Sequence, residues 1–105
     1  MFQNLNPLKL WYSSPTNELA CEIQSFANLE QGWDFGVGDP IAMEVINEAL
    51  AVSEIAVYLG LTTEAMPEIN GGIVLTFVHG EDSLEVLIHK DLTYSVYYER
   101  GLGET

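Results

Sequence analysis

Sixteen carboxylates and three basic side chains dominate the chemistry that this 105-residue sequence could support. The formal net charge is −13 at pH 7, and no lysine or arginine occurs between Lys9 and Lys90. Because an unpaired carboxylate is costly to bury, most of these acids must lie on the surface and create a negative field. That field disfavours binding to nucleic acids or anionic membranes and favours basic proteins as partners.

Two groups of carboxylates are the strongest candidates for a partner-binding surface. Glu44 and Glu48 lie four residues apart in a predicted helix, and Glu54 is expected to extend the same face. The second group is expected to cluster at a predicted hairpin turn and consists of Glu81, Asp82 and Glu85. Such arrays can imitate a run of phosphates, and the alternative is a plain solvated face.

A glycine-rich loop at residues 32–39 holds two further candidates, Trp33 and Asp34. They are interpreted either as a recognition loop or as structural residues, with Trp33 packed between the helices and Asp34 capping a loop amide. The glycines at 36 and 38 precede a predicted helix, but no lysine follows them and the nearby acids would repel a phosphate. We therefore interpret these glycines as loop geometry.

The residues that could support catalysis or metal binding are few. His79 and His89 lie in neighbouring predicted strands, and a four-residue turn would place His79 opposite Leu84 and His89 opposite Val74. Histidines at opposite ends of a hairpin disfavour a zinc site. The single cysteine, Cys21, excludes an intramolecular disulfide, fits a reducing cytoplasm and is interpreted as a packed or half-exposed thiol. We predict a cytoplasmic protein that is not an enzyme and has no metal or cofactor.

Two helices are predicted to position these side chains. The first has Ser14 as N-cap and Pro15 as its first residue, and it ends near Leu29. Its apolar face is formed by Leu19, Ile23 and Phe26 at helical spacing. For the second helix, the predicted N-cap is Asp39, the predicted first residue is Pro40, and the helix runs to about Leu59 before Gly60.

Three β runs follow an irregular link at residues 61–71, and their predicted ranges are 73–79, 84–89 and 93–99. Their short connections predict an antiparallel meander. The fold class is therefore α+β, with two helices packed on a three-stranded antiparallel meander and residues 8–12 as a candidate fourth, N-terminal strand. We expect one domain over residues 1–105, loosely ordered at 1–7 and 100–105, with neither a signal peptide nor a membrane-spanning segment.

The segment Leu29-Glu30-Gln31-Gly32-Trp33-Asp34-Phe35-Gly36-Val37-Gly38-Asp39-Pro40 resembles a motif of small bacterial proteins. In that family a Gly-Trp-Asp-Gly stretch precedes a Gly- and Pro-containing loop, a helix and a sheet that opens with an Asp- or Asn-Gly-Gly turn. The later part of the pattern is similar to Asn70-Gly71-Gly72-Ile73 and to the hairpin at Gly80-Glu81-Asp82, so the resemblance covers residues 29–99. Phe35 stands where the family pattern has glycine. The family has no assigned enzymatic activity, so the resemblance implies the architecture and no catalytic residue.

Two functional hypotheses follow from these observations. In the first, the chain is an acidic inhibitor of the anti-CRISPR, anti-defence or antitoxin type, from a bacterium or phage. It would bind the basic nucleic-acid-binding surface of a nuclease, toxin or effector and act as a nucleic-acid mimic. In the second, the chain is a structural or adaptor subunit, or a homodimer, that assembles through an edge strand while its acidity serves solubility.

Overall fold

The computed structural model describes residues 15–101 and has a two-layer α+β architecture. The elements are helix α1 (Pro15–Ser25), a 3-10 turn (Phe26–Asn28), helix α2 (Met43–Tyr58), and strands β1 (Thr62–Pro67), β2 (Ile73–His79), β3 (Asp82–Ile88) and β4 (Tyr94–Glu99). The strands form one antiparallel sheet in the order β1-β2-β3-β4. This arrangement confirms the predicted fold class.

The core lies between the two helices and one face of the sheet. Leu19 and Ile23 of α1 and Phe26 of the following turn are buried, as their spacing predicted. The α2 residues that complete the helical layer are Val45, Ile46, Ala49 and Ala56. From the sheet, alternate residues reach the same core, and they are Ala65, Ile73, Leu75, Phe77, Val86 and Ile88. Alternation along the strands therefore leaves the opposite sheet face outside this core.

The fourth strand is β1, in the segment that the sequence analysis interpreted as an irregular link. The prediction was wrong because the inward-facing position at its centre is the small residue Ala65, so the segment has no apolar run. Its pairing with β2, from Thr62 opposite Val78 to Pro67 opposite Ile73, supplies the stabilisation that local propensity lacks. The candidate strand at residues 8–12 and the proposed cap Ser14 lie outside the described residues.

Helix α2 begins at Met43 with Ala42 as its N-cap, three residues later than predicted. Asp39 cannot cap the helix because its groups have other partners. Its N–H donates to the Ile69 carbonyl at 2.7 Å, and its carboxylate lies 3.6 Å from the Lys90 ammonium. Asp39 therefore joins the loop to the sheet end instead of starting the helix.

The β2–β3 hairpin has a two-residue turn, Gly80-Glu81, rather than the predicted four-residue turn. Gly80 has φ +63°, as the first central position of a type II′ turn requires. The register consequently shifts by two residues, so His79 pairs with Asp82 rather than with Leu84. A shift of two keeps every side chain on its predicted face of the sheet.

Candidate partner-binding surfaces

The sheet face opposite the helices carries three carboxylates, and we call it the outer sheet face. It comprises Thr62, Glu64, Met66, Val74, Thr76, Val78, Ser83, Glu85, Leu87, Ser95, Tyr97 and Glu99. Glu64 and Glu85 lie in one cross-strand row with Thr76 between them, so their backbones are about 10 Å apart. These twelve positions contain no lysine or arginine, so the face is acidic without an internal counter-charge.

Two of the residues on this face, Glu64 and Glu99, were missed as candidate site residues by the sequence analysis. Glu64 fell in the segment interpreted as irregular, and nothing indicated that it would share a face with Glu85. Glu99 was recognised as a strand residue, but its face could be assigned only from its pairing with Ser83. An alternation count over residues 62–67 is the one signal that could have found Glu64.

The predicted group Glu44, Glu48 and Glu54 does not form one face. Glu44 and Glu48 are one turn apart in α2, but Glu54 lies on the other flank of the helix, beside Ala20 of α1. Glu48 points to the sheet instead, where its Oε2 accepts a hydrogen bond from the Tyr94 hydroxyl at 2.5 Å. The prediction was wrong because six positions separate Glu48 from Glu54, which rotates Glu54 about 120° away from Glu48 around the helix axis.

The second predicted group is also divided by the structure. Glu81 is exposed in the β2–β3 turn and Asp82 follows it, whereas Glu85 lies on the outer sheet face. The Gly101 N–H donates to the Asp82 carboxylate at 2.8 Å, and this bond is the main cause that holds the pKa of Asp82 below its usual range. Asp82 therefore anchors the end of the described chain, which leaves Glu81 and Glu85 as the more accessible acids.

Both cations of the described chain lie beside carboxylates. The Lys90 ammonium is 3.6 Å from Asp39, and the positive charge of Arg100 contributes to lowering the pKa of Asp82. Residues 15–101 contain fifteen of the sixteen carboxylates and only two of the three basic residues. The negative charge of the surface is consequently not offset by cations distributed among the other acids.

Trp33 has a structural role within its own loop. The indole N–H donates to the Asp39 carbonyl at 2.8 Å, and the ring covers Gly38, where a Cβ would lie 2.8 Å from Nε1. Asp34 pairs with Val37 through two backbone hydrogen bonds of 2.7 and 3.1 Å. The contacts described for the indole thus lie inside the loop and not between the two helices, where the structural alternative placed it.

Phe35 occupies the tip of this loop in a strained conformation. Phe35 and Gly36 are the two central residues of the turn between Asp34 and Val37, with φ of +55° and +96°. Glycine adopts this region freely, whereas a side chain there costs about 1–2 kcal/mol. The Phe35 side chain is also fully exposed. The sequence analysis treated this residue only as a departure from a glycine pattern, although an exposed aromatic in a strained turn is a candidate contact residue.

Replacing Phe35 by glycine is expected to raise the free energy of unfolding by about 0.5–1 kcal/mol. The substitution removes the left-handed strain and loses almost no burial, because the ring is fully exposed. Phe35→Ala is the matched control, since alanine keeps the strain and should bring little gain. Urea unfolding of the three proteins measures the difference, and an equal gain for alanine and glycine would show that backbone strain is not the cause.

Apolar side chains lie on the flank of α2 that carries Glu48 and on the helix-side face of β4, and we call this set the α2–β4 strip. On the helix it consists of Val52, Ile55 and Leu59, which follow Glu48 at helical spacing. On the strand it consists of Tyr94, Val96 and Tyr98, which share the helix-side face. The hydrogen bond between Tyr94 and Glu48 joins the two elements at one end. Because Ile55, Leu59, Val96 and Tyr98 are each more than half exposed, α2 leaves this edge of the sheet uncovered.

The Tyr94 hydroxyl has a raised pKa of about 12. Partial burial is the main cause, and the Glu48 carboxylate contributes because it accepts a hydrogen bond from the neutral hydroxyl and repels the phenolate. Glu48→Gln should lower this pKa because the phenolate would no longer face a negative charge, whereas Glu44→Gln should leave it unchanged. The pKa of an unfolded tyrosine is about 10, so the raised pKa in the folded state means that neutral Tyr94 stabilises the fold. This stabilisation is present below about pH 10 and is lost as the pH rises towards 12. NMR titration of ring-labelled tyrosine measures it, and an unperturbed Tyr94 would contradict the hydrogen bond.

The histidines and the cysteine do not come together in the described chain. His79 and His89 lie at opposite ends of the β2–β3 hairpin, and His89 Nε2 contacts the Ser95 hydroxyl at 2.7 Å. Cys21 is exposed on α1. Within residues 15–101, no three or more His, Cys, Asp or Glu side chains are arranged to hold a metal ion. No helix in the same range has both the length and the apolar character to cross a bilayer.

Comparison of the chain with protein-family models, curated proteins and solved structures finds no match. The resemblance of residues 29–99 to the bacterial loop-motif proteins therefore stays a prediction. The class that the described residues define is a small α+β protein with an acidic outer sheet face and a set of exposed apolar side chains on α2 and β4.

Proposed function

We propose that this protein is a non-catalytic binding protein that inhibits a basic partner. Its target is the nucleic-acid-binding surface of a nuclease, toxin or effector complex, and its carboxylates take the place of phosphates there. The observation that carries the proposal is the outer sheet face, on which Glu64, Glu85 and Glu99 present negative charge with no cation among them. A net charge magnitude of about 2–8 suffices for solubility, so a charge of −13 calls for a further reason.

Electrostatics of this kind act first on the rate of encounter. Complementary fields can raise association rate constants from about 10⁶ to 10⁸ M⁻¹s⁻¹ at low salt. Carboxylates alone bind weakly, so the interface also needs apolar anchors that exclude water. Tyr97 and Met66, which are exposed on the outer sheet face itself, can serve that purpose.

The experiment that tests the proposal is a pull-down from bacterial lysate with the tagged protein, washed at low and at high salt. We expect a basic nucleic-acid-binding protein that is retained at low salt and released at high salt, because screening shortens the Debye length to about 3 Å at 1 M. Inhibition of that protein's nucleic-acid binding by the purified chain is the functional readout. Recovery of only neutral partners, retained equally at low and at high salt, would contradict the proposal.

A second candidate function is assembly through the edge strand β4 into a homodimer or a larger complex, with acidity serving solubility. The observation that favours it is that Val96, Tyr97 and Tyr98 are exposed on a terminal strand of the sheet. Light scattering over a range of concentrations distinguishes the two, since a homodimer gives twice the mass of a single chain.

A further inference from the structure

Strand β4 forms one edge of the described sheet and has few of the features that usually protect such an edge. It pairs with β3 on one side, and no described strand pairs with its other side. Its sequence from Tyr94 to Glu99 contains no proline and no lysine, the residues that commonly prevent further pairing. Half of its backbone N–H and C=O groups point away from β3 and are therefore positioned to bind another extended chain.

The two faces of β4 differ in chemistry. On the helix side lies the α2–β4 strip, where Val96 and Tyr98 of the strand are exposed and Ile55 and Leu59 of the helix are 62% and 64% exposed. On the outer side, Tyr97 pairs with Glu85, and Glu99 follows two residues later. A strand added along β4 would therefore have every second side chain against apolar groups and the intervening side chains close to carboxylates.

We propose that β4 is the docking edge for an extended segment of the partner in which apolar residues alternate with lysine or arginine. The inference rests on the proposed function, because it identifies the kind of segment by which a basic partner is held. Backbone hydrogen bonds to β4 provide the geometry, the α2–β4 strip accepts the apolar side chains, and Glu85 and Glu99 receive the basic ones.

Charge decides between this occupant and a second copy of the chain. Two copies joined at β4 would bring together two chains of formal charge −13, each with Glu85 and Glu99 on the outer sheet face near the joined edge. Like charges across an interface cost affinity, whereas a basic segment neutralises the same acids. Arg100 does not alter this balance, because it is already counted in the net charge of −13.

The test uses a fluorescein-labelled nine-residue peptide in which lysine alternates with valine. Two control peptides have the same charge: one contains the same residues in separate blocks, and the other has every internal amide N-methylated, which removes its backbone donors. Fluorescence anisotropy at low salt is expected to give a dissociation constant at least about tenfold lower for the alternating peptide than for either control. Amide NMR shifts caused by that peptide should be centred on residues 94–99.

Two protein variants locate the site without disturbing the core. Ile55→Ser combined with Leu59→Ser removes exposed apolar groups of the strip and should weaken binding of the alternating peptide about tenfold. Met43→Ser combined with Ile69→Ser is the matched control, because these residues are 55% and 52% exposed and belong neither to the strip nor to the outer sheet face. The control variant should bind the peptide as the unaltered protein does.

Four outcomes would overturn the inference. They are equal affinity for the three peptides, shift changes centred on another surface, a dimer in solution whose interface protects the β4 amides, and NOEs that place residues 1–14 on the α2–β4 strip in the free protein. The experiments also distinguish failure of the β4 inference from failure of the proposed function. If a basic partner from the lysate binds the Ile55→Ser, Leu59→Ser variant as tightly as the unaltered protein, the β4 inference fails and the proposed function stands. If the peptide binds at β4 but no basic partner is recovered, the proposed function fails and the β4 site stands.

Discussion

Replacing Ile46 by alanine is expected to lower the free energy of unfolding by about 2–5 kcal/mol. Ile46 of α2 is fully buried in the core between the helices and the sheet. Truncation of its side chain leaves a cavity that the surrounding core residues can fill only in part. A domain of this size has a total stability of about 5–15 kcal/mol, so the variant would lose a large share of it. Urea unfolding followed by circular dichroism measures the change.

Ile55→Ala provides the control for this prediction within the same helix. The substitution is chemically identical, but Ile55 lies on the α2–β4 strip and is 62% exposed. Its effect should stay within about 0.5 kcal/mol, as for other exposed positions. Similar losses at both positions would show that the two-layer packing described for α2 is incorrect.

Reversing the charges at Glu64, Glu85 and Glu99 to lysine is expected to weaken binding of the basic partner about 100-fold. Each reversal removes an attraction and adds a repulsion, and about 1 kcal/mol per position gives this factor. The fold should tolerate the change, because the three side chains are exposed and lysines at these positions would attract the remaining carboxylates instead of repelling them. The measurement is the dissociation constant for the partner recovered by pull-down, together with the unfolding midpoint of each protein.

The matched control for the outer sheet face is the same reversal at Glu18, Glu22 and Glu30. It changes the net charge by the same six units on exposed positions of α1 and the loop that follows it. Binding should fall much less in this control, because exposed charges beyond a Debye length of about 8 Å are largely screened at physiological salt. Equal losses for the two triple variants would show that only the total charge matters and that the outer sheet face is not the site.

The helical layer was largely predictable because apolar spacing follows directly from helix geometry. Leu19, Ile23 and Phe26 were placed on one face from their spacing and are all buried. The predicted end of α2 before Gly60 is close to the observed end at Tyr58, and Gly60 has φ +80°. Such signals depend on neighbouring residues in the sequence, so they can be interpreted without knowledge of the rest of the fold.

The errors occurred where a distant contact decides the local structure. Asp39 and Pro40 formed a sound helix-start signal, but the bonds of Asp39 to Ile69 and Lys90 prevent it from capping α2. Residues 62–67 have weak strand propensity and become β1 only because β2 offers an unpaired edge. In both cases the competing interaction comes from a part of the chain that is distant in sequence.

For the candidate site too, local features were predictable from the sequence and long-range groupings were not. The sequence identified the excess of carboxylates, but its two groupings of them were based on proximity along the chain. Glu54 lies across the helix from Glu48, and Glu85 lies away from Asp82, because side-chain direction alternates or rotates with position. The acidic face that the structure shows combines residues from three strands.

The sequence by itself determined the charge of this protein, the apolar faces of its helices and the antiparallel order of its last three strands. Each of these depends on composition or on periodicity within a short segment. Only the tertiary structure decided that Glu64, Glu85 and Glu99 share a face and that β4 is an edge beside an uncovered strip of α2. The reason is that strand pairing and helix packing bring together residues that no local interaction connects, so which surfaces remain exposed depends on the whole fold.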